Sequence, residues 1–309
     1  MRIMAIDIGT NSTLHLIADV SAGGVKLVER GITGNRLGSD IKSGGIIDDE
    51  LLEYNASILR ELKKKAKAFN CIGIKAVGTH ALRNATNAND FIAMSQHAGI
   101  PLEIISDHEE AGLTWCGVFG TRGPDRSAAV LDLGGGSTEL IAGQGSEIGW
   151  SDSIPLGAVI AARCHFHHDP PLDSEIRACT RTVETAFSRW STFKKEKYEL
   201  TGVAGTVTSL LAVKYGMTSY SPGAIEGLIL DREDVRRFRE MLFKMDLTGR
   251  KALPGMPTAR AGSIHAGALM LEIILEILGL NRISGSEKGV LFGLAQSMIE
   301  TDTFMDSQS

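Results

Sequence analysis

Cysteine is scarce in this chain. Only Cys71, Cys116, Cys164 and Cys179 occur, and no two of them form a CxxC pair. That spacing excludes a zinc ribbon and a thioredoxin-type redox motif, and it points to reduced thiols in a cytoplasmic protein. Basic charge is not in excess either: the net charge is −5. A global field that recruits nucleic acid is therefore excluded, and any polyanion site has to be local. Long apolar runs are also missing. The most apolar predicted helix, His265–Leu280, carries Glu272 and Glu276 and is too short to span a bilayer. Asp7 interrupts the first apolar run early, so no secretory signal peptide is expected, and neither a membrane nor a nucleic-acid partner. What is present is ordinary globular material: 309 residues, 43% hydrophobic and 22% charged, enough for two domains with two cores.

Two stretches share one plan. In Val130–Ile141, VLDLGGGSTELI, an apolar strand runs into a glycine turn and a second strand leaves it. Gly134, Gly135 and Gly136 permit backbone conformations closed to other residues, so amide N–H groups can crowd toward one anion. Ser137 and Thr138 add hydroxyls, and Asp132 and Glu139 flank the turn, where they could hold a divalent cation directly or through water. The other reading is a tight hairpin with glycine for geometry alone. A second copy favours the anion cradle: Ile3–Ser12, IMAIDIGTNS, aligns Asp7-Ile8-Gly9-Thr10 with Asp132-Leu133-Gly134-Gly135. Asp7, Thr10, Asn11 and Ser12 are thus the first-domain counterparts of the second turn. Two related domains are expected, each opening with a hairpin, and the pair able to close over a phosphate and exclude water.

The pattern along the chain places the remaining features. A strand Val25–Arg30 and a glycine-rich loop Gly31–Gly45 precede a helix from Asp48 or Asp49 to about Phe69, whose terminal lysines (Lys63, Lys64, Lys65, Lys67) read as a solvated face. The strand Ile74–Gly78 runs into Thr79–Arg83, so Arg83 lies just beyond a strand end, where its guanidinium could clamp a phosphate. After the strand Leu102–Ser106, Ser106 and Glu109 have capping-box spacing. That assigns Glu109 to the helix start and leaves Glu110 free in the first turn. Gly117–Arg126 reads as the interdomain linker, Ile148–Pro155 as a third strand, and Ser174–Phe193 as one long helix. The cluster Cys164–Asp169 is too crowded for a tetrahedral metal site. The strand Tyr198–Val203 leads into Gly205 and Thr206 at a helix N-terminus, a further anion-binding arrangement.

The paired hairpins resemble the actin, sugar kinase and heat-shock chaperone superfamily. The finer wording DIGTNS, GTHALR, ISDHEEAGL, DLGGGSTEL and SIPLGAV is similar to the exopolyphosphatase / guanosine pentaphosphate phosphohydrolase family, over nearly the whole chain. The resemblance implies an α/β fold of two ribonuclease H-like (actin-like ATPase) domains facing across an interdomain cleft. Residues 1–122 form the first, with the final helix, about 289–309, packing back on it, and residues 123–288 the second. It implies that Glu110 is the catalytic glutamate, that Arg83 in GTHALR is functional, and that Gly205-Thr206 is the family's third glycine-threonine motif. It implies a homodimer, and polyphosphate or guanosine pentaphosphate as substrate. Gly112 stands where the family has Arg, Gly262 where it has Asp, and Lys288 where it has Arg.

The expected reaction is hydrolysis of a terminal phosphoanhydride. Glu110 activates water; Gly134, Gly135, Gly136 and Ser137 hold the phosphate, with Asn11, Ser12 and Arg83 opposite; Mg2+ sits near Asp132 and Glu139. Two rivals stay open at this point: a kinase of the superfamily, and a non-catalytic nucleotide-binding sensor.

Overall fold

The computed structural model describes residues 1–309 except 11, 22, 38–44, 196–197, 218–222 and 307–309. It divides into two compact units, Met1–Gly123 with Lys288–Ser309, and Pro124–Glu287.

In the first unit, β1 (Arg2–Ile8), β2 (Ser12–Ser21) and β3 (Gly24–Gly34) form an antiparallel meander, and β4 (Gly73–Gly78) and β5 (Leu102–Ile104) continue the sheet parallel to β1. The order is β3-β2-β1-β4-β5. Strand periodicity divides β1 between two cores. Met4, Ile6 and Ile8 pack among residues of α1 (Asp49–Ala68) and α3 (Ala88–His97), with α2 (His80–Arg83) between β4 and α3. Ile3 and Ala5 pack on the other side, with α11 (Val290–Asp306). Asp7 shares the face of Ile3 and Ala5. Alongside α11 on that side runs α4 (Asp107–Phe119). The two helices meet through glycine: a Cβ on Gly117 would lie 2.2 Å from the Gly289 carbonyl oxygen, and one on Gly293 1.9 Å from that of Leu113. The division between the units, at Gly123 and Pro124, falls inside the expected linker, but its first residues belong to the helix: Gly117 serves close helix packing and α4 continues to Phe119.

The second unit repeats the plan. β6 (Ala128–Leu133), β7 (Thr138–Gln144) and β8 (Glu147–Ile154) form the meander, and β9 (Glu199–Val203) pairs parallel to β6. β11 (Arg282–Gly285) lies beyond β9, and a short antiparallel edge strand, β10 (Ile229–Asp231), closes the order β10-β11-β9-β6-β7-β8. The helices are α5 (Ala158–His165), α6 (Asp173–Phe187), α7 (Ala204–Lys214), α8 (Arg232–Phe243), α9 (Leu247–Lys251) and α10 (Ile264–Leu278). The single helix expected over Ser174–Phe193 becomes a 3₁₀ helix (Ser188–Lys195) after Phe187, which seats Phe187 and Trp190 edge-to-face, both fully buried. α10 is apolar on nearly every side because α5, α6, α7 and α8 all contact it. It stops at Gly279, whose φ of 68° is the left-handed conformation glycine tolerates.

Two further expectations shift. β3 extends to Gly34, into the predicted loop, of which 38–44 lie outside the described residues. β5 ends at Ile104: the Ile105 N–H makes the last bond to β4, to the Gly78 carbonyl, and Ser106 then caps α4. Among the described residues no helix is long and apolar enough to cross a membrane.

Candidate active site

In each unit the turn after the first strand closes with the same hydrogen bond. Gly9 N–H donates to Ser12 O at 3.1 Å, and Gly134 N–H donates to Ser137 O at 3.1 Å. The strand registers match too, Ile8 opposite Thr13 and Leu133 opposite Thr138. Gly134 does not adopt a left-handed φ, contrary to the reading that its conformation demanded glycine; a Cβ there would crowd Ser137 O at 3.1 Å, so glycine supplies space.

The second turn is oriented by the start of α5. The Gly134 carbonyl accepts from Ala158 N–H at 3.0 Å, and that of Gly135 from Val159 N–H at 3.0 Å and Ile160 N–H at 3.2 Å. In a trans peptide the carbonyl and the following N–H point in opposite directions. The amides of Gly135 and Gly136 therefore point away from α5, and neither donates to any group among the described residues. The two donors are thus aimed by a neighbouring helix, an arrangement that can accept an anion. Gly157 is essential to it, because a Cβ there would lie 2.4 Å from the Gly135 carbonyl carbon. Ser137 is buried at the end of the turn, and the Thr138 hydroxyl donates inward to Leu156 O at 2.7 Å. Asp132 and Glu139 are direct cross-strand partners, so both carboxylates lie on one face. Glu139 is buried and accepts from the Ser153 hydroxyl at 2.9 Å.

In the first unit a side chain does the work of α5. Asn35, fully buried, donates from Nδ2 to Gly9 O at 2.8 Å and so turns the Thr10 N–H the opposite way. Its Oδ1 accepts from Leu37 N–H at 3.2 Å, and its own carbonyl accepts from Asn55 Nδ2 at 3.1 Å. Thr10 and Ser12 are partly exposed at the turn, and Asp7 sits at the end of β1 beside β4. Asn11 lies outside the described residues.

Arg83 ends α2, just beyond β4. Its Nη1 donates to Ile105 O and to Glu110 Oε2, each at 2.8 Å, and Nη2 donates to Asp107 Oδ1. The guanidinium fork is therefore engaged inside the protein, not presented for the bidentate phosphate grip expected of it. Glu109 and Ser106 form the predicted capping box, Glu109 Oε2 accepting from Ser106 N–H at 2.8 Å. Glu110 is left out of the cap but is not free, because Arg83 holds it. Its side chain is 15% exposed. Burial pushes its carboxyl above the usual range; Arg83 pulls the other way, and the nearby Asp107 charge adds to the rise. Burial and Arg83 hold the neighbouring His80 imidazole below its ordinary value.

At the N-terminus of α7, Thr206 is buried against Gly267 of α10, where a Cβ would meet its hydroxyl at 2.8 Å. Thr206 thus packs closely on α10 at the start of α7. Gly205 instead lies under the Arg260 guanidinium, a Cβ at 205 falling 2.2 Å from Arg260 Cζ. Ala204 takes φ 63°, which costs a non-glycine residue about 1–2 kcal/mol.

Sequence reasoning missed Asn35, Asp107, Gly157 and Arg260. Only Gly157 had a visible signal, a glycine directly before an apolar helix start.

Each unit thus places its candidate residues at the C-terminal ends of adjacent parallel strands: Asp7 near the end of β1 and Arg83 beyond β4, Asp132 near the end of β6 and Gly205 beyond β9. The chain is 32% identical to Exopolyphosphatase 2 of Mycobacterium tuberculosis, covering 96% of this chain and 98% of that one. The crystal structure of the Aquifex aeolicus Ppx/GppA family member superposes with a TM-score of 0.84 at 28% identity, covering 98% of both chains. An exopolyphosphatase from Cytophaga hutchinsonii shares the fold, with a TM-score of 0.86 at 24% identity over 97% of this chain and 98% of that one. The family model described as the Ppx/GppA phosphatase family matches residues 16–302, and this two-unit α/β chain belongs to that family.

Proposed function

We propose that the chain is an exopolyphosphatase, releasing orthophosphate from the end of inorganic polyphosphate by attack of a water that Glu110 orients and deprotonates. The observation that carries this reading is the Glu110 carboxylate itself. It is held at a defined position by Arg83, shielded from bulk water, and shifted toward the proton affinity a general base needs. The new bond joins the water oxygen to the terminal phosphorus, and the bond from that phosphorus to the bridging oxygen breaks. Glu110 takes the water proton, and the chain leaves one unit shorter.

The Gly135 and Gly136 amides are suited to the terminal phosphate oxygens, with Ser137 beside them. The Thr10 amide and the Ser12 hydroxyl are the matching groups of the first unit. For Arg83 we propose orientation of Glu110. The Arg260 guanidinium over Gly205 is suited to approach a further phosphate.

Mg2+ fits the donor set of the second unit. Asp132 and Glu139 are hard oxygen donors on one face, and this ion uses one or two carboxylates together with phosphate oxygens and water. When bound, it supplies charge neutralisation on the phosphate oxygens. A cytoplasmic homodimer without nucleic-acid or membrane partners completes the reading.

Phosphate release measured with Mg2+ on short polyphosphate, long polyphosphate, guanosine pentaphosphate and ATP tests it. Polyphosphate is expected to turn over fastest. A clear preference for guanosine pentaphosphate would move the assignment to the phosphohydrolase of the same family, and transfer of phosphate from ATP to an acceptor would make the protein a kinase.

A further inference from the structure

Three acceptors hold one guanidinium at the start of α4. Arg83 reaches Ile105 O and Glu110 through Nη1 and Asp107 through Nη2. The first two are sheltered, while the Asp107 side chain is 59% exposed. An acid at the first position of a helix is commonly a partner of the helix dipole. That accounts for the charge of Asp107 but not for the direction of its side chain, which is bonded to Arg83.

Charge counting gives the arrangement a purpose. With Arg83 and Glu110 alone, a cation would sit against a buried carboxylate, orienting it but also stabilising its ionised form, which weakens a base. With Asp107 on the other arm, the guanidinium is shared between two carboxylates. We infer that Asp107 is a positioning residue for the hydrolysis: it anchors the outer arm of Arg83, so that the guanidinium aims Glu110 without quenching it as a base. This rests on the reading that Glu110 is the base. The groups acting on Glu110 are Arg83 from α2 and Asp107 from its own helix. His80, also on α2, feels the same pair. Glu109 is turned back onto Ser106, and it is Glu109 on which Lys75 of β4 and His108 act.

The test is kcat/KM against pH for phosphate release from a short polyphosphate with Mg2+, on the parent, Asp107→Asn, Asp107→Glu and Glu110→Gln. Substrate ionisation is common to all and cancels in the comparison. Asp107→Asn is expected to move the acid limb to lower pH and to lower the plateau kcat by about tenfold, the low end of what a general base contributes being roughly a hundredfold. Asp107→Glu restores both. A 13C titration of the Glu110 carboxylate in the substrate-free protein should show the same downward move in Asp107→Asn. An acid limb and a carboxylate titration that stay at the parent position, with only the melting temperature altered, would reduce Asp107 to a dipole partner and overturn the inference. Turnover retained by Glu110→Gln would instead remove the base reading itself, so the two failures are told apart.

Discussion

Arg83 Nη1 donates to Glu110 Oε2 at 2.8 Å, joining the last residue of a one-turn helix to the first turn of another. Both side chains are about equally sheltered, at 16% and 15% exposure. Breaking such a pair leaves an uncompensated carboxylate, at a cost of about 3–5 kcal/mol unless the group takes up a proton. Arg83→Ala is therefore expected to raise the Glu110 carboxyl further. The acid limb of the rate profile moves to higher pH, opposite to Asp107→Asn, and kcat falls by roughly a hundredfold. Arg83→Lys recovers only part, since an ammonium cannot reach Ile105 O, Glu110 and Asp107 in one planar fork. Steady-state rates from acid to neutral pH check both variants.

The same carboxyl makes a statement about stability. Its folded value lies above the unfolded one, so its favourable contribution is complete below the unfolded value, near 4.5, and is lost as pH rises through the raised folded value. Denaturant melts across that window should show parent stability declining with pH relative to Glu110→Gln. A parallel course for the two proteins would contradict the raised assignment.

Gly157→Ala should separate binding from chemistry. Its methyl group would enter the Gly135 carbonyl and swing the Gly135 and Gly136 amides away from the phosphate position. KM for polyphosphate is expected to rise by tenfold or more, with a stability loss of about 1–3 kcal/mol from overpacking. Rates together with a melting curve measure both.

Asn35→Asp keeps shape but removes the Nδ2 donor that orients Gly9 O. Leaving that carbonyl unmatched costs about 1–3 kcal/mol, and a weakened first turn shows as a raised KM. Asn55→Ala, which acts one step further away, should lose stability with a smaller change in KM.

Metal dependence falls to the cross-strand pair. Asp132→Asn and Glu139→Gln are each expected to shift the Mg2+ concentration for half-maximal rate upward, while Ser153→Ala, which only supports Glu139, shifts it about tenfold. A Mg2+ titration of initial rates checks the order.

Much of this architecture was legible because duplication prints itself twice. The strand–Asp–x–Gly pattern at Asp7 and at Asp132 needs only local turn geometry, and both turns close with the same bond. The capping box at Ser106 was legible for the same reason, since its partners are three residues apart. What was not legible depends on contacts distant in sequence. Asn35 reaches back across β2 and β3 to Gly9, and Arg83 spans 24 residues to Asp107. The burial of Thr206 follows from Gly267 on a helix about sixty positions later, which no reading of strand, Gly-Thr and helix can anticipate. Gly117 misled because glycine in a polar stretch signals a linker, whereas here it lets two helices touch.

The central claim is that one carboxylate primes the attacking water, and Glu110→Gln tests it most directly. Phosphate release from polyphosphate should fall by at least roughly a hundredfold at saturating Mg2+ while polyphosphate still binds, because the amide keeps the shape and loses the base. A rate within a few fold of the parent would show that Glu110 takes no proton from water in this reaction.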